Sequence, residues 1–309
     1  MTKVLALLVP LLSLSTTIFA AEYPGAEWEK HNRAGWSEPL LVKARQLMAS
    51  KKTAAVVIVQ SGRVIDQWGD VDKKIEVRSL RKSLLSALYG IHVAEGHIDL
   101  GKTLEEGGID DKPPALTTIE KQATILDLLR ARSGVYHAAA RETAQMRAER
   151  PPRGSHSPGT YFYYNNWDFN VLGRIFEQQT GKGIFEEFAQ RIAKPIGMQD
   201  FVPSDGRFAG VEGSTVGGDS LYPNYIFSMT ARDMARFGYL YLRNGRWGDK
   251  QIIPATWVRR STTTWEHSGT WRWCSDVPGS HPGPLPSPGG ARCLVVPAGG
   301  RVDQAPRLD

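Results

Sequence analysis

A serine and a lysine three residues apart are the first residues in this sequence whose types and spacing could do chemistry. Ser79 and Lys82 form the only Ser-x-x-Lys in the chain, and apolar residues recur after them at helical spacing. A helix would place both side chains on one face, one turn apart. A lysine amine kept neutral by burial or by nearby positive charge can take the proton of a serine hydroxyl and make it a nucleophile. This spacing occurs in serine acyl-transfer enzymes.

The same pattern also has a purely structural interpretation. Ser79 could cap the helix, and Lys82 could be a solvated side chain in the first turn. About one such match is expected by chance in a few hundred residues of ordinary composition. The rest of the sequence has to decide between the two interpretations.

The elements that must position this pair are a predicted hairpin and a series of predicted helices. Two apolar stretches rich in β-branched residues flank Ser61-Gly62, which predicts a hairpin over residues 54–60 and 63–68. Helical periodicity predicts helices at residues 35–49, 79–96, 125–130, 167–180, 184–192 and 230–244. Residues 137–160 are polar and indicate a surface loop, residues 206–223 form a Gly-rich loop, and residues 291–296 resemble a strand.

A second group of candidate residues follows Pro158-Gly159. A tyrosine and a carboxamide two residues apart, such as Tyr164 and Asn166, can both point into one cleft. The phenol can shuttle a proton, and the amide can hold a substrate carbonyl and steady the lysine. The alternative is an aromatic patch packed in the core, which we expect for residues 161–163. The Tyr-x-Asn pattern alone is weak, because it recurs at Tyr222-Pro223-Asn224.

Three stretches together resemble the β-lactamase-related serine hydrolases, a family that includes class C β-lactamases, penicillin-binding proteins and esterase-like members. In chain order they are Ser79-Leu80-Arg81-Lys82-Ser83, then Pro158-Gly159 through Tyr164-Asn165-Asn166 to Leu172-Gly173, then Ser228-Met229-Thr230-Ala231-Arg232-Asp233-Met234-Ala235-Arg236-Phe237-Gly238. Residues 128–135 resemble the segment between the first two. The resemblance covers about residues 50–265 and favours the catalytic interpretation of Ser79.

The resemblance implies a role for each matched residue. Ser79 would be the nucleophile, Lys82 its proton partner, and Asn166 the amide that orients the substrate. Tyr164 would be the base or proton relay, because its distance to Leu172-Gly173 fits the family's register. The sequence leaves open whether Lys82 or Tyr164 first accepts the serine proton. The backbone N–H of Ser79 would supply half of an oxyanion hole, and neither a metal nor a cofactor is implied.

The third motif of the family departs from its usual pattern. The family places Lys or His, any residue, then Gly on a strand that faces the serine. When residues 294–297 are aligned with the family's strand, Pro288-Gly289-Gly290 falls at the position of this motif. His267-Ser268-Gly269 comes too early, and His281-Pro282-Gly283 lies in a proline run that opposes a strand. Seven of the 19 prolines follow Ser268, and a reading frame shifted near residue 268 is one explanation.

The resemblance implies an α+β fold, with an antiparallel sheet flanked by helices and a mostly helical region inserted over about residues 97–225. We expect an export signal at residues 1–20, because Lys3 precedes an apolar run that ends in small residues. One β-lactamase-like domain would occupy residues 21–266. The Pro/Gly-rich tail at residues 267–309 would leave the C-terminal strands incomplete.

The expected function is a periplasmic or secreted serine hydrolase that cleaves an amide, a β-lactam or an ester through an acyl-enzyme on Ser79. Its partner would be a small-molecule substrate or a cell-wall peptide. The alternative is a non-catalytic or defective penicillin-binding-like protein, because the third motif is missing. The net charge of +6 is spread along the chain, which argues against a nucleic-acid partner, and no further apolar run predicts a stable membrane span. The seven scattered histidines and the absence of His-x-x-x-His argue against a zinc enzyme.

Overall fold

The computed structural model describes residues 23–30, 35–210, 220–263 and 293–298, the last as backbone only. The helices are α1 (Glu38–Ser50), α2 (Leu80–Ala94), α3 (Ile125–Leu129), α4 (Ala144–Glu149), α5 (Trp167–Thr180), α6 (Ile184–Phe188), α7 (Ala231–Leu242) and α8 (Ala255–Thr262). The strands are β1 (Ala55–Gln60), β2 (Arg63–Gly69), β3 (Ile75–Glu76), β4 (Arg207–Ala209), β5 (Asn224–Ile226), β6 (Ser228–Met229), β7 (Arg246–Trp247), β8 (Lys250–Gln251) and β9 (Cys293–Ala298). The predicted export signal and most of the predicted tail lie outside the described residues.

The largest described sheet has the order β2-β1-β9 and is antiparallel throughout. The predicted hairpin is confirmed, and the predicted strand at residues 291–296 is observed two residues later. Alternation along β1 sends Val57 and Val59 into the main core and Val56 and Ile58 to the opposite face, where α1 packs. β9 pairs with β1 at an edge of the described sheet, which is the position where a strand tolerates Pro297.

Helix α2 lies at the centre of the molecule. Ten of its 15 residues are buried, on every face, as expected for a helix surrounded by other elements. It packs against α5, α6 and α8. The Tyr89 hydroxyl donates to the Leu172 carbonyl oxygen of α5 at 2.8 Å, which fixes the two helices at one register. The Ser-x-x-Lys motif therefore begins a rigid, enclosed element.

Helix α7 begins as the sequence predicts, at the N-cap Thr230, whose hydroxyl accepts from the Asp233 N–H. The buried Asp233 carboxylate also accepts the backbone N–H groups of Gln199, Asp200 and Phe201 at 2.7–3.0 Å. These bonds satisfy backbone donors that would otherwise be costly to bury. The third matched stretch thus fastens the loop after α6 to the helix that covers the sheet.

The prediction that residues 137–160 lie at the surface is confirmed for most of their side chains, but the segment also contains a short helix and three buried residues. Residues 144–149 form α4, with the Thr143 hydroxyl accepting at its N-terminus, and Ala139, Ala140 and Met146 are buried. Polar composition predicted exposure, but the backbone carbonyls of this segment accept hydrogen bonds from buried side chains of α5.

In the Gly-rich loop, β4 pairs with β5 and residues 211–219 lie outside the described part.

The α+β architecture is confirmed, with helices on both faces of the antiparallel sheet. Residues 97–223 carry α3 to α6 and the short strand β4, while the domain boundaries stay predictions. Across the described ranges, no helix has both the length and the apolar composition needed to span a bilayer.

Gly173 lets α5 approach β5, and replacing it with alanine tests this contact. A Cβ at this position would lie 2.8 Å from Tyr225 Cδ1, and the Tyr225 ring is fully buried. Alanine favours a helix over glycine by about 1 kcal/mol, yet overpacking costs about 1–3 kcal/mol. Together these opposing effects predict that Gly173→Ala lowers the free energy of unfolding by up to about 2 kcal/mol in urea denaturation.

The control for this experiment is Gly25→Ala, where a Cβ would meet no atom within 4 Å. We expect that variant to stay within about 0.5 kcal/mol of the wild type. A Gly173→Ala variant about 1 kcal/mol more stable than the wild type would show that α5 and β5 are not in close contact, because only the helix-propensity gain would remain.

Candidate active site

Ser79 precedes the first turn of α2, at the end of the segment that leads out of β3. Its side chain makes no capping hydrogen bond, so the capping interpretation of the motif is not observed. Arg78, immediately before it, has φ 50°, a left-handed conformation that costs about 1–3 kcal/mol in a residue with a side chain. The Val77 N–H bond to the Phe227 carbonyl at 3.0 Å holds this turn against the chain before β6. Such imposed strain is typical of functional sites.

The structure brings the four predicted site residues together around one nitrogen atom. Lys82 is 5 % exposed, which excludes a solvated side chain. Its Nζ lies 3.3 Å from Ser79 Oγ, 2.7 Å from the Tyr164 hydroxyl and 3.0 Å from Asn166 Oδ1. The neighbouring Tyr163 is directed elsewhere, because its hydroxyl donates to the Met146 carbonyl oxygen at 2.6 Å.

The environment favours the neutral forms of both Lys82 and Tyr164. Burial, and then the positive charge of Arg81, hold the pKa of Lys82 well below its usual value, against a smaller opposing effect of Asp168. Burial raises the pKa of Tyr164, although a hydrogen bond with Ser79 and the charge of Arg81 oppose the increase. A neutral amine has a free lone pair, and a neutral phenol has a proton to give.

Arg81 is the residue of this site whose role sequence reasoning missed, although it stands inside the motif. Its guanidinium is 3 % exposed, donates to Asn170 Oδ1 at 2.9 Å and lies 4.2 Å from the centre of the Tyr225 ring. Within the described ranges it forms no ion pair with a carboxylate. Its charge is therefore balanced only by neutral dipoles, and it acts on the adjacent lysine. The i, i+4 spacing of Asn166 and Asn170 was the available sequence signal for this polar face.

Both the oxygen and the nitrogen of the Asn166 side-chain amide form hydrogen bonds with other residues of the protein. Its Oδ1 accepts from Lys82, and its Nδ2 donates to the Arg141 carbonyl oxygen at 2.8 Å. The side chain thus ties the lysine to the buried segment before α4. Its proposed role in orienting substrate stays a prediction.

Asp168, in the first turn of α5, is a second buried group that sequence reasoning missed. Its Oδ1 accepts from the Ser133 hydroxyl at 2.6 Å, while its Oδ2 is buried without a partner among the described residues. Burial raises the pKa of Asp168 to about 7, although hydrogen bonds from Ser133 and Asn165 oppose this change. Below about pH 7 the folded protein therefore favours the protonated form of this carboxyl.

The predicted third motif, Pro288-Gly289-Gly290, lies outside the described residues, as do His267 and His281. The Ser79 N–H is at the first turn of α2, where backbone N–H groups lack intrahelical acceptors. This position is compatible with one donor of the expected oxyanion hole.

Comparison with known proteins identifies the family of this chain. The beta-lactamase family model matches residues 43–282. The chain belongs to the beta-lactamase family. This confirms the family resemblance on which the roles of Ser79, Lys82, Tyr164 and Asn166 were predicted.

The curated relatives are D-aminopeptidases. The protein of Brucella anthropi is 28% identical over 190 residues, 53% of this chain and 36% of that protein. The protein of Brucella ovis is 36% identical over 67 residues, 20% of this chain and 13% of that protein. The match therefore spans 36% of the length of the first relative and 13% of the second.

Solved structures show the fold of this beta-lactamase family member. A Bacillus anthracis protein assigned as a 6-aminohexanoate-dimer hydrolase has a TM-score of 0.57 and 22% identity, over 76% of this chain and 67% of its own. A class C beta-lactamase variant has a TM-score of 0.50 and 17% identity, and the match covers 74% of this chain and 72% of that protein. The predicted fold class is confirmed.

Replacing Asp168 with asparagine tests the neutral carboxyl. The folded-state pKa of about 7 is above the unfolded value, so the folded protein binds the extra proton between about pH 4 and pH 7. The stability that this proton provides is fully present below that range and is lost as the pH rises through it. The asparagine side chain carries no charge at any pH, so the variant does not lose this stability. From pH 4 to pH 8, the free energy of unfolding of Asp168→Asn should rise relative to that of the wild type by about 1–4 kcal/mol in urea denaturation.

The exposed Asp249→Asn variant is the matched control and should follow the wild-type pH dependence. Parallel pH curves for Asp168→Asn and the wild type would contradict a buried neutral carboxyl.

Proposed function

We propose that the protein is an exported serine hydrolase that cleaves an amide, a β-lactam or an ester through a covalent acyl-enzyme on Ser79. The observation that carries the proposal is the buried Lys82 amine within hydrogen-bonding reach of Ser79 Oγ and the Tyr164 hydroxyl. A nucleophile, a base and a proton relay are the groups that acyl transfer requires. Family membership supports the same chemistry.

The two pKa directions favour Lys82 as the first proton acceptor. Ser79 Oγ attacks the substrate carbonyl carbon, and its proton passes to Lys82 Nζ. When the bond to the leaving group breaks, the Tyr164 phenol donates a proton to the departing amine or alkoxide and regains one from the lysine ammonium. Water then attacks the acyl-enzyme, gives its proton through the same pair, and releases Ser79 and the acid product.

The relatives favour an amide among the three substrate classes. A D-aminopeptidase acts, by its name, on peptides with a D-residue, and a cell-wall peptide with D-residues is the corresponding substrate for this chain. The sequence of residues 1–20 supports export, which would place the enzyme in the periplasm or outside the cell. β-Lactams and short esters contain equally polarised carbonyl groups and belong in the same substrate screen.

Ser79→Ala tests the nucleophile. A fluorophosphonate or penicillin probe should label the wild-type protein with one adduct, visible by intact-protein mass spectrometry, because the probe forms a bond to an activated serine. Ser79→Ala should lose the adduct and at least about 1,000-fold of the hydrolysis rate on D-Ala peptides, β-lactams or esters. Ser83→Ala, one turn further along α2, is the matched control and should keep both.

The same assay separates the alternative of a non-catalytic or defective relative. Labelling of Ser79 without turnover on any substrate of the screen would favour that alternative, which the missing third motif motivates. Equal labelling or equal turnover of Ser79→Ala and the wild type would show that another residue is the nucleophile.

Arg81→Gln tests the electrostatic control of the lysine. Because the guanidinium lowers the pKa of Lys82, removing its charge should raise that pKa. The rate depends on the neutral amine, so the acidic limb of the kcat/KM profile should move to higher pH by about 1 unit or more. Arg81→Lys keeps a charge at this position and should retain the wild-type limb more closely.

Circular dichroism identifies variants that fail to fold. An unchanged acidic limb in folded Arg81→Gln, with only the maximal rate reduced, would mean that Arg81 supports the packing of the site and not the protonation of Lys82.

A further inference from the structure

The C-terminal end of α2 brings together three side chains that can bind a metal ion. His92 lies in the last turn of the helix, and Glu95 is its C-cap residue. Gly96 has φ 76° and reverses the chain, so that the His97 N–H donates to the His92 carbonyl oxygen at 2.9 Å. In a continuing helix the His97 side chain would point away from the His92 side chain. The turn at Gly96 instead brings the two imidazole rings together.

The three donor atoms have the spacing of ligands around one ion. The three atoms form a triangle. His92 Nδ1 lies 3.1 Å from His97 Nδ1 and 3.9 Å from Glu95 Oε2, and His97 Nδ1 lies 3.4 Å from Glu95 Oε2. Zinc binds imidazole nitrogen and carboxylate oxygen at about 2.0–2.2 Å. A triangle with these sides has a centre about 2.0 Å from each corner, so one ion can reach all three atoms where they stand.

A second carboxylate orients the buried histidine. Glu187 Oε1 accepts from His92 Nε2 at 2.9 Å, which assigns the proton of the neutral ring to Nε2 and leaves the Nδ1 lone pair for a metal. Metal-bound histidines commonly have such a carboxylate partner. Arg191 pairs with both Glu95 and Glu187, so two carboxylates against one guanidinium leave a net negative charge for a cation.

We propose that His92, Glu95 and His97 bind one Zn²⁺ where the end of α2 meets α6. Two imidazoles and one carboxylate suit a borderline ion such as zinc better than Ca²⁺ or Mg²⁺, which prefer oxygen ligands. Water would complete the coordination, because the Glu95 and His97 side chains are 36% and 55% exposed. The 15 residues of α2 span about 20 Å, so the site has no part in acyl transfer at Ser79.

The competing explanation is a hydrogen bond from the His97 ring to the His92 ring, beside the ion pair of Glu95 with Arg191. Zinc titration of the chelator-stripped, untagged full-length protein separates the two by isothermal calorimetry. We expect the wild type to bind one more Zn²⁺ than His97→Gln. His97 is the informative position because it is exposed, whereas loss of the buried His92 could unfold the protein.

His156→Gln removes a histidine elsewhere and should keep the wild-type zinc count. Glu187→Gln should weaken the zinc affinity by about 10–100-fold, because the orientation of His92 is less well fixed. Zinc at about 100 times its dissociation constant should raise the melting temperature of the wild type by about 5 °C and leave that of His97→Gln unchanged. Equal zinc counts for wild type and His97→Gln, or a wild-type melting temperature that zinc does not raise, would overturn the proposal.

Discussion

The burial of the Lys82 amine is the constraint on which the rest of the site depends. An ammonium group transferred into a protein interior without a carboxylate partner loses much of its hydration energy, so the group gives up its proton instead. The environment strengthens this preference. Arg81 adds positive charge beside the amine, whose hydrogen-bond partners are a hydroxyl, a phenol and an amide. The fold thus supplies a base that free lysine does not offer at neutral pH.

Keeping this base in place requires a helix that cannot shift. Tyr89 fixes α2 against α5, and at Gly90 the helix approaches the Trp257 ring so closely that a Cβ would lie 2.4 Å from it. At its far end, the contacts of His92 with Glu187 fasten α2 to α6. A side chain held by packing on all faces can be aligned with a reacting group before any substrate arrives, which removes entropy from the reaction barrier.

The polar surroundings of the site form one connected network. Asn166 and Asn170 of α5 share acceptors on the buried segment before α4, at the Ala140 and Arg141 carbonyls. Arg141 has φ 60° and pairs with Glu76, which also receives Arg78 on the other side of the nucleophile. One carboxylate therefore pairs with the side chains of both Arg78 and Arg141, each of which has a left-handed backbone conformation.

Periodicity and motif order in the sequence were enough to predict much of the fold. The hairpin, the helix that carries Ser79 and Lys82, and the capped helix at Thr230 all follow from local signals, because turn residues, apolar spacing and caps act between near neighbours. The buried segment at residues 139–141 could not be predicted in this way. Its carbonyls are buried because α5 covers them, and polar composition records nothing about that distant partner.

What the sequence by itself determined is which residues could take part in chemistry: a serine and a lysine one helical turn apart, and a tyrosine and an asparagine in a second motif. Only the tertiary structure decided their protonation states and the residues that they contact. Arg81 influences Lys82 because its partners, Asn170 and Tyr225, are uncharged, and burial of the Asp168 carboxyl raises its pKa to about 7. The physical reason is that charge states in an interior depend on burial and on contacts between residues far apart in the chain, and these arise only when the elements pack.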